Sequence, residues 1–249
     1  MQPTNRDHSM VFPLSNRFNA TAPHLRYGFK PQRGSSHHWA ISQLSEGVYR
    51  KSVLDVGPGS GWLGEALKHQ EPNSLVTIEI DLRAHEHLKT HYHEVHSDLT
   101  GVRGRRFDII TALDLLEHLP EPAEFLHELG GLLAPGGCIL LSVPNIAHWS
   151  VRLPLFFWGS FRYTEKGILD RSHLHFFSRS SFRELCCSVP NSKLAELSAS
   201  IEPAELALPS WVSQIVLFRW SLSGRHWLAQ RMPGLLGYQH LARIESTLK

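Results

Sequence analysis

Cysteine is scarce in this 249-residue chain, which holds only Cys138 and the adjacent pair Cys186-Cys187. Three thiols give no disulfide framework, which excludes a stapled secreted mini-domain and suits a reducing cytoplasm. The adjacent pair reads as helix packing rather than a redox couple. Long apolar runs are missing as well, none approaching the ~20 residues that span a bilayer. Met1 to Asn19 is polar and broken by Pro3 and Pro13, so it does not read as a signal peptide. Charge of one sign is not in excess: the formal net charge is +2, which argues against a nucleic-acid partner and against an acidic tail. No internal repeat or low-complexity tract is visible. What is present is a hydrophobic content of 42%, ample for the core of one α/β domain.

The densest signal lies at Ser52-Val53-Leu54-Asp55-Val56-Gly57-Pro58-Gly59-Ser60-Gly61, an apolar strand running into a glycine loop. A second strand, Leu75-Val76-Thr77-Ile78-Glu79-Ile80-Asp81, ends in carboxylates. Glycine lets the backbone turn tightly and lets a ligand approach closely, while a carboxylate at the next strand end can accept from ribose hydroxyls. The parts are those of a nucleoside-cofactor site. Gly59-Ser60-Gly61-Trp62-Leu63-Gly64 also satisfies the dinucleotide fingerprint, with Glu79 near the place of its acidic partner. Asp55 tips the balance. A carboxylate beside the loop repels a pyrophosphate but favours a sulfonium cofactor with an aminoacyl tail.

The run V-L-D-V-G-x-G-x-G followed by I-E-I-D resembles the first two motifs of the class I S-adenosylmethionine-dependent methyltransferases. Further matches follow in order: Phe107-Asp108-Ile109-Ile110, Leu113 to Leu119, Leu133-Ala134-Pro135-Gly136-Gly137, and Leu141-Ser142-Val143-Pro144-Asn145. Tyr163 to Leu174, Phe176-Phe177 and the closing Pro233 to Gln239 are similar to a bacterial subgroup that modifies small molecules and surface polysaccharides. The resemblance runs from about residue 35 to the C-terminus. Pro58 departs from it, standing where the family often has Cys. It implies S-adenosylmethionine as cofactor, with Asp55, Gly57, Gly59 and Gly61 on its methionine part and ribose. Glu79 is its ribose-binding acid, with Asp81 as rival, and Asp98-Leu99 stands beside its adenine. The structural alternatives are helix capping for Asp81 and an ordinary turn for Asp98.

Alternating strands and helices argue for a doubly wound, Rossmann-like and mostly parallel sheet with helices on both faces. Residues 1–34 read as an irregular arm and 35–249 as the methyltransferase domain. Strands are expected near 52–57, 75–80, 93–97, 107–112 and 137–143, with helices near 61–70, 82–90, 122–133 and 178–187. Two terminal strands, one antiparallel, are expected near 194–202 and 212–220 from the resemblance, followed by a helical tail over 222–249. The aromatic stretch 144–178 is too long for an ordinary connection and reads as a substrate-facing cover or an extra mini-core.

Asp114-Leu115-Leu116-Glu117-His118 follows the fourth strand, at the sheet edge where open α/β folds bind ligands. On a helix, positions i, i+3 and i+4 share a face, so two carboxylates and an imidazole would converge. With His173 the set resembles the E-x-x-E-H plus distant His site of small-RNA terminal 2′-O-methyltransferases and ubiquinone-pathway O-methyltransferases. Such oxygen and imidazole ligands would suit Mg²⁺ or Mn²⁺ and could activate a substrate hydroxyl. Asp114 is one methylene shorter than the Glu of that pattern. Metal-free acid-base chemistry is the competing role, and a capping box of Asp114 with Glu117 is the structural one.

The chain has 17 histidines, five of them between His85 and His96, where a solvated face explains them better than a ligand set. In the tail, aromatics from Trp211 to Trp227 interleave with Arg219, Arg225 and Arg231. Such a mix can mark peripheral membrane contact or simply a helix docked on the core. Taken together, the residues and the resemblance, which carries the cofactor and reaction class, imply O-directed methyl transfer onto a small molecule or glycan, not a nucleic acid. The rivals are a catalytically silent partner with the same fold and, further off, a NAD-dependent oxidoreductase.

Overall fold

A computed structural model describes residues 33–44, 47–201 and 216–248. Helix α1 (Ser36–Gln43) precedes β1 (Ser52–Val56), α2 (Trp62–Lys68), β2 (Ser74–Ile78), α3 (His85–Leu88) and β3 (Glu94–His96). Next come β4 (Phe107–Leu113), α4 (Pro122–Gly131), β5 (Leu133–Pro144), α5 (Trp149–Trp158) and α6 (Arg179–Cys187). The chain closes with β6 (Ser192–Ala199), α7 (Val216–Arg231), α8 (Pro233–Leu236) and β7 (Gln239–Ser246). The strands form one seven-stranded sheet in the order β3-β2-β1-β4-β5-β7-β6. Neighbours from β3 to β5 are parallel, and β7 runs antiparallel between β5 and β6.

Strand parity explains the two layers of core. Leu54, Ile110, Ile139 and Leu141 enter one buried cluster, while Val53, Ile109, Cys138 and Leu140 enter another on the opposite face. Central strands covered on both faces read as nearly continuous apolar runs, as these do. Cys186 packs in the first of these clusters and forms no disulfide. Local signals set the helix starts. Ser35 caps α1, Pro122 occupies the first turn of α4, and Ser178 with Ser181 forms a capping box on α6. Chain order reverses between β1 and β4, so the loops leaving their carboxyl ends open onto the crevice where such sheets hold ligands.

The end of the chain corrects the sequence reading. The second terminal strand is Gln239–Ser246, not 212–220: residues 216–220 belong to α7, and 212–215 lie outside the described residues. The tail over 222–249 is therefore helical only through α7 and α8. Strand β7 was hidden because it is interior. Flanked on both sides and buried over Gln239, His240, Leu241 and Ala242, it shows no polar-apolar alternation. The arm up to residue 32 also falls outside the described residues. In the aromatic stretch, Phe156, Phe157 and Trp158 of α5 are exposed, so α5 forms no mini-core. No helix among the described residues is long and apolar enough to cross a membrane.

Asn145, just past the end of β5, clasps the segment of α8 and Gly237 that leads into β7. Its Nδ2 donates to the carbonyls of Pro233, Gly234 and Gly237 at 3.2, 3.2 and 2.7 Å, and its Oδ1 accepts from Ala147 N–H at 2.9 Å. The side chain is fully buried. Asn145→Ala is expected to lower stability by about 3 kcal/mol, because buried carbonyls lose their donor. Urea denaturation checks this; an unchanged midpoint would show that the clasp contributes nothing.

Candidate active site

Gly57, Gly59 and Gly61 all take positive φ (69°, 57° and 79°), a backbone that favours glycine. A Cβ on Gly59 would meet nothing within 4 Å, so the middle of the loop faces open space. Gly57 lies against Leu115, whose Cδ1 would stand 3.1 Å from an added Cβ, which places this loop beside the turn after β4. Gly64 has a different reason. The Tyr92 ring lies 2.5 Å from where its Cβ would be.

Asp55 does not reach the loop surface. It has the parity of Val53 and faces the α2–α3 layer, where its carboxylate accepts from Tyr92 Oη–H and from Thr111 Oγ1–H at 2.6 Å. Burial pushes its pKa up, and the two hydroxyl donors pull it back. The residue supports the loop from beneath and is 4% exposed, bonded to Tyr92 and Thr111.

The two acids after β2 separate clearly. Asp81 accepts from Arg83 N–H and pairs with the Arg83 guanidinium at 2.8 and 2.9 Å, which is the capping role. Glu79 is half-buried, and its Oε1 accepts from Asp81 N–H at 2.9 Å. Asp98 caps the turn Leu99–Val102, accepting from Thr100 N–H at 2.8 Å and from the Thr100 hydroxyl. That hydroxyl, with the backbone, holds its carboxyl below the usual range. Leu99 packs half-buried on the core.

After β4 the chain does not continue as a helix. Asp114 sits in the left-handed region (φ 52°), and Leu116–His118 is a single 3₁₀ turn without a side-chain cap. The expected helical face and the capping box are both absent. Asp114 is bound elsewhere, its carboxylate accepting from Ser142 Oγ at 2.6 Å and from Gln239 Nε2 at 2.6 and 2.7 Å. Glu117, His118 and His173 do converge, each offering a ligand atom within 4.8 Å of the others. Leu174 and His175 N–H both donate to the Glu117 carbonyl, which carries His173 to the turn.

The chemistry of this trio follows from its partners. His118 Nδ1 faces the Ser172 carbonyl at 3.2 Å, and His173 Nδ1 faces the Ile168 carbonyl at 3.0 Å. A carbonyl only accepts, so each Nδ1 carries the proton and each Nε2 keeps a lone pair. Burial lowers both imidazole pKa values, with His173 contributing to the shift of His118. Glu117 is fully buried, and its Oε2 has no hydrogen-bond partner. Burial, then the charges of Asp114 and Asp170, raise its pKa well above normal.

A model of the methyltransferase domain family matches residues 37–188. The chain belongs to this family. In the methyltransferase domain a bound S-adenosylmethionine is the cofactor the family implies, and the open glycine cradle with a half-buried Glu79 at the next strand end fits it. The chain is 30% identical over 118 residues to the ubiquinone biosynthesis O-methyltransferase of Actinobacillus pleuropneumoniae serotype 7, covering 42% of this chain and 50% of that one. It is 35% identical over 103 residues to the enzyme of the same name from Coxiella burnetii, covering 38% and 44%. It thus spans about half the length of the curated relatives it matches. A S-adenosylmethionine-dependent methyltransferase of Archaeoglobus fulgidus shares the fold, with a TM-score of 0.54 at 18% identity over 86% of this chain and 95% of that one.

Sequence reasoning missed four residues of the methyltransferase domain site: Tyr92, Asp170, Ser142 and Gln239. Ser142, Asp170 and Gln239 stood inside matched segments, but their partners lie on other strands or turns. Tyr92 carried no signal in its histidine-rich surroundings. Glu79→Gln is expected to weaken S-adenosylhomocysteine binding about tenfold or more, since a charge-assisted hydrogen bond is lost. Asp81→Asn should shift it less than about threefold, on the same scale. Calorimetric titration of both variants decides, and equal losses would return the ribose role to Asp81.

Proposed function

We propose that the protein transfers a methyl group from S-adenosylmethionine to a hydroxyl oxygen of a small molecule or glycan, with residues 35–249 acting as one methyltransferase unit. The observation that carries this is the Glu117, His118 and His173 trio beside the glycine loop. The relatives named for ubiquinone-pathway O-methylation support the oxygen-directed reading. When bound, the cofactor supplies a methyl group on a sulfonium, reactive enough that the protein need only align the acceptor and receive its proton. A free Nε2 on neutral His173 or His118 takes that proton. Protonated Glu117 donates to the acceptor oxygen and fixes its direction. Gly57, Gly59 and Gly61 would admit the cofactor, with Glu79 on its ribose and Asp98 and Leu99 at the adenine end.

A second reading has a specific observation behind it. The partnerless Oε2 of Glu117 and two Nε2 lone pairs are a two-histidine, one-carboxylate donor set that fits Mg²⁺ or, better, Mn²⁺. Asp114 would not join it, being held by Ser142 and Gln239. There Glu117 would be ionised and the cation would lower the acceptor's pKa.

Methyl transfer to a panel of hydroxylated aromatics and sugars tests both readings. His173→Ala should lower kcat about 100-fold or more, the range for a lost general base, with S-adenosylhomocysteine affinity retained. Glu117→Gln, which keeps a neutral donor, should retain activity within about tenfold and be insensitive to chelator. Loss of activity in Glu117→Gln, with chelator inhibition of the wild type reversed by Mn²⁺, would favour the cation. Cofactor binding without turnover on any acceptor would favour the silent partner.

A further inference from the structure

An open cleft of about 640 Å³ lies apart from this trio, where α6 begins beside β6, Ala147 and Gly234. Three arginines line it, Arg152 of α5 and Arg179 and Arg183 of α6, with Ser178 and Ser180 between them. Among the described residues none of the three has an ion-pair partner. The one acid on the wall, Glu196, has its carboxylate taken by Trp39 Nε1 at 3.1 Å and Gln43 Nε2 at 2.9 Å. Arg179 Nη2 donates to the Leu197 carbonyl at 2.9 Å, while its Nη1 is buried without a partner. Burial and the charge of Arg183 make the Arg179 guanidinium less comfortable in its charged state.

A solvated face would spread such charges and leave every guanidinium nitrogen in water. Here they are gathered in a chain of net charge +2, and one donor is desolvated. Planar guanidinium forks match phosphate oxygens, and the first turn of nine-residue α6 adds its partial positive charge. A cleft with three such groups exceeds what one carboxylate needs.

We propose that this cleft is an anion site for a phosphate or pyrophosphate group, carried by the methyl acceptor. The anion site stands on the arginines alone; that its ligand is the acceptor rests on the methyl-transfer reading. Ser178 is five residues from His173, so their Cα atoms are at most about 18 Å apart. An acceptor of sugar-phosphate or nucleotide-sugar size bridges that distance. A soluble phosphate and a lipid headgroup present the same chemistry to these three arginines, and the test separates the two sources.

The test is calorimetric titration of the full chain with inorganic pyrophosphate at about 0.15 M salt, where weak surface attraction is screened. Flotation with phosphatidylglycerol-containing and phosphatidylcholine-only vesicles runs in parallel. The variant is Arg152→Glu with Arg183→Glu, both exposed, leaving Arg179 to hold the Leu197 carbonyl. Saturable pyrophosphate binding, weakened at least tenfold in the variant, supports a soluble phosphate ligand. Arginine-dependent binding to anionic vesicles alone supports a lipid phosphate. No binding to either probe, or binding unchanged in the variant, overturns the proposal. S-adenosylhomocysteine titration of both proteins separates the two readings. If it binds both equally, the variant is folded. If pyrophosphate binds and S-adenosylhomocysteine does not, the anion site stands and the methyl-transfer reading falls.

Discussion

The glycine loop rests on a carboxylate that water does not reach. Register places Thr77, Asp55 and Thr111 side by side on β2, β1 and β4, all facing the α2–α3 layer. Thr111 donates to the Asp55 carboxylate, and Thr77 donates to the Asp55 carbonyl at 2.8 Å. Tyr92 completes the set from above. Its hydroxyl donates to Asp55 and accepts from Gly64 N–H at 3.1 Å, so one phenol joins strand, loop and helix. A buried carboxylate without donors would be strongly disfavoured. With them it becomes a fixed point, and the missing side chain of Gly64 leaves room for the tyrosine ring.

A comparable linkage ties the end of the chain to the turn after β4. Ser142 of β5 and Gln239 of β7 both donate to Asp114, and Gln239 Oε1 accepts from Ser200 Oγ at 2.9 Å. Asp114 N–H in turn donates to the Ser142 carbonyl and hydroxyl, each at 3.0 Å. These bonds pin a left-handed aspartate, and the tight turn that follows then swings Glu117 and His118 under the incoming His173. The terminal strand thus lies inside the sheet, and its Gln239 holds the residue from which the turn toward the trio begins.

Legibility in the sequence followed this division. Strands β1 to β5, α2, α4 and α6 were readable, because buried parallel strands and capped amphipathic helices leave local patterns. Glu117 and His118 were singled out by residue type and spacing and His173 by the resemblance, and the three converge although the expected helical geometry is absent. What stayed hidden shares a cause. The inward bonds of Asp55 to Tyr92 and Thr111 follow from strand parity and from partners far along the chain. Strand β7 escaped because interior burial on both edges erases alternation, and Gln239, His240 and Arg243 look like surface residues until their partners are known. Long-range polar pairing, between residues 125 apart for Asp114 and Gln239, leaves no mark in a local window.

The electrostatics around the two imidazoles suit a proton acceptor better than a resting cation. Burial favours the neutral forms of His118 and His173, while Asp170 and Asp114 pull in the opposite direction. Asp170 is itself fully buried and held by Ser172 N–H and Oγ at 2.9 and 2.7 Å, so its charge does not move. A base in this setting is neutral before the reaction. It gains stabilisation from fixed negative charge as it becomes an imidazolium, which is the preorganised form of help that costs no rearrangement. Burial, and behind it the charges of Asp114 and Asp170, raise the pKa of Glu117 and favour its acid form. In the proposed reaction the two aspartates thus favour an imidazolium on the histidines and the acid form of the glutamate, opposite effects on neighbouring groups.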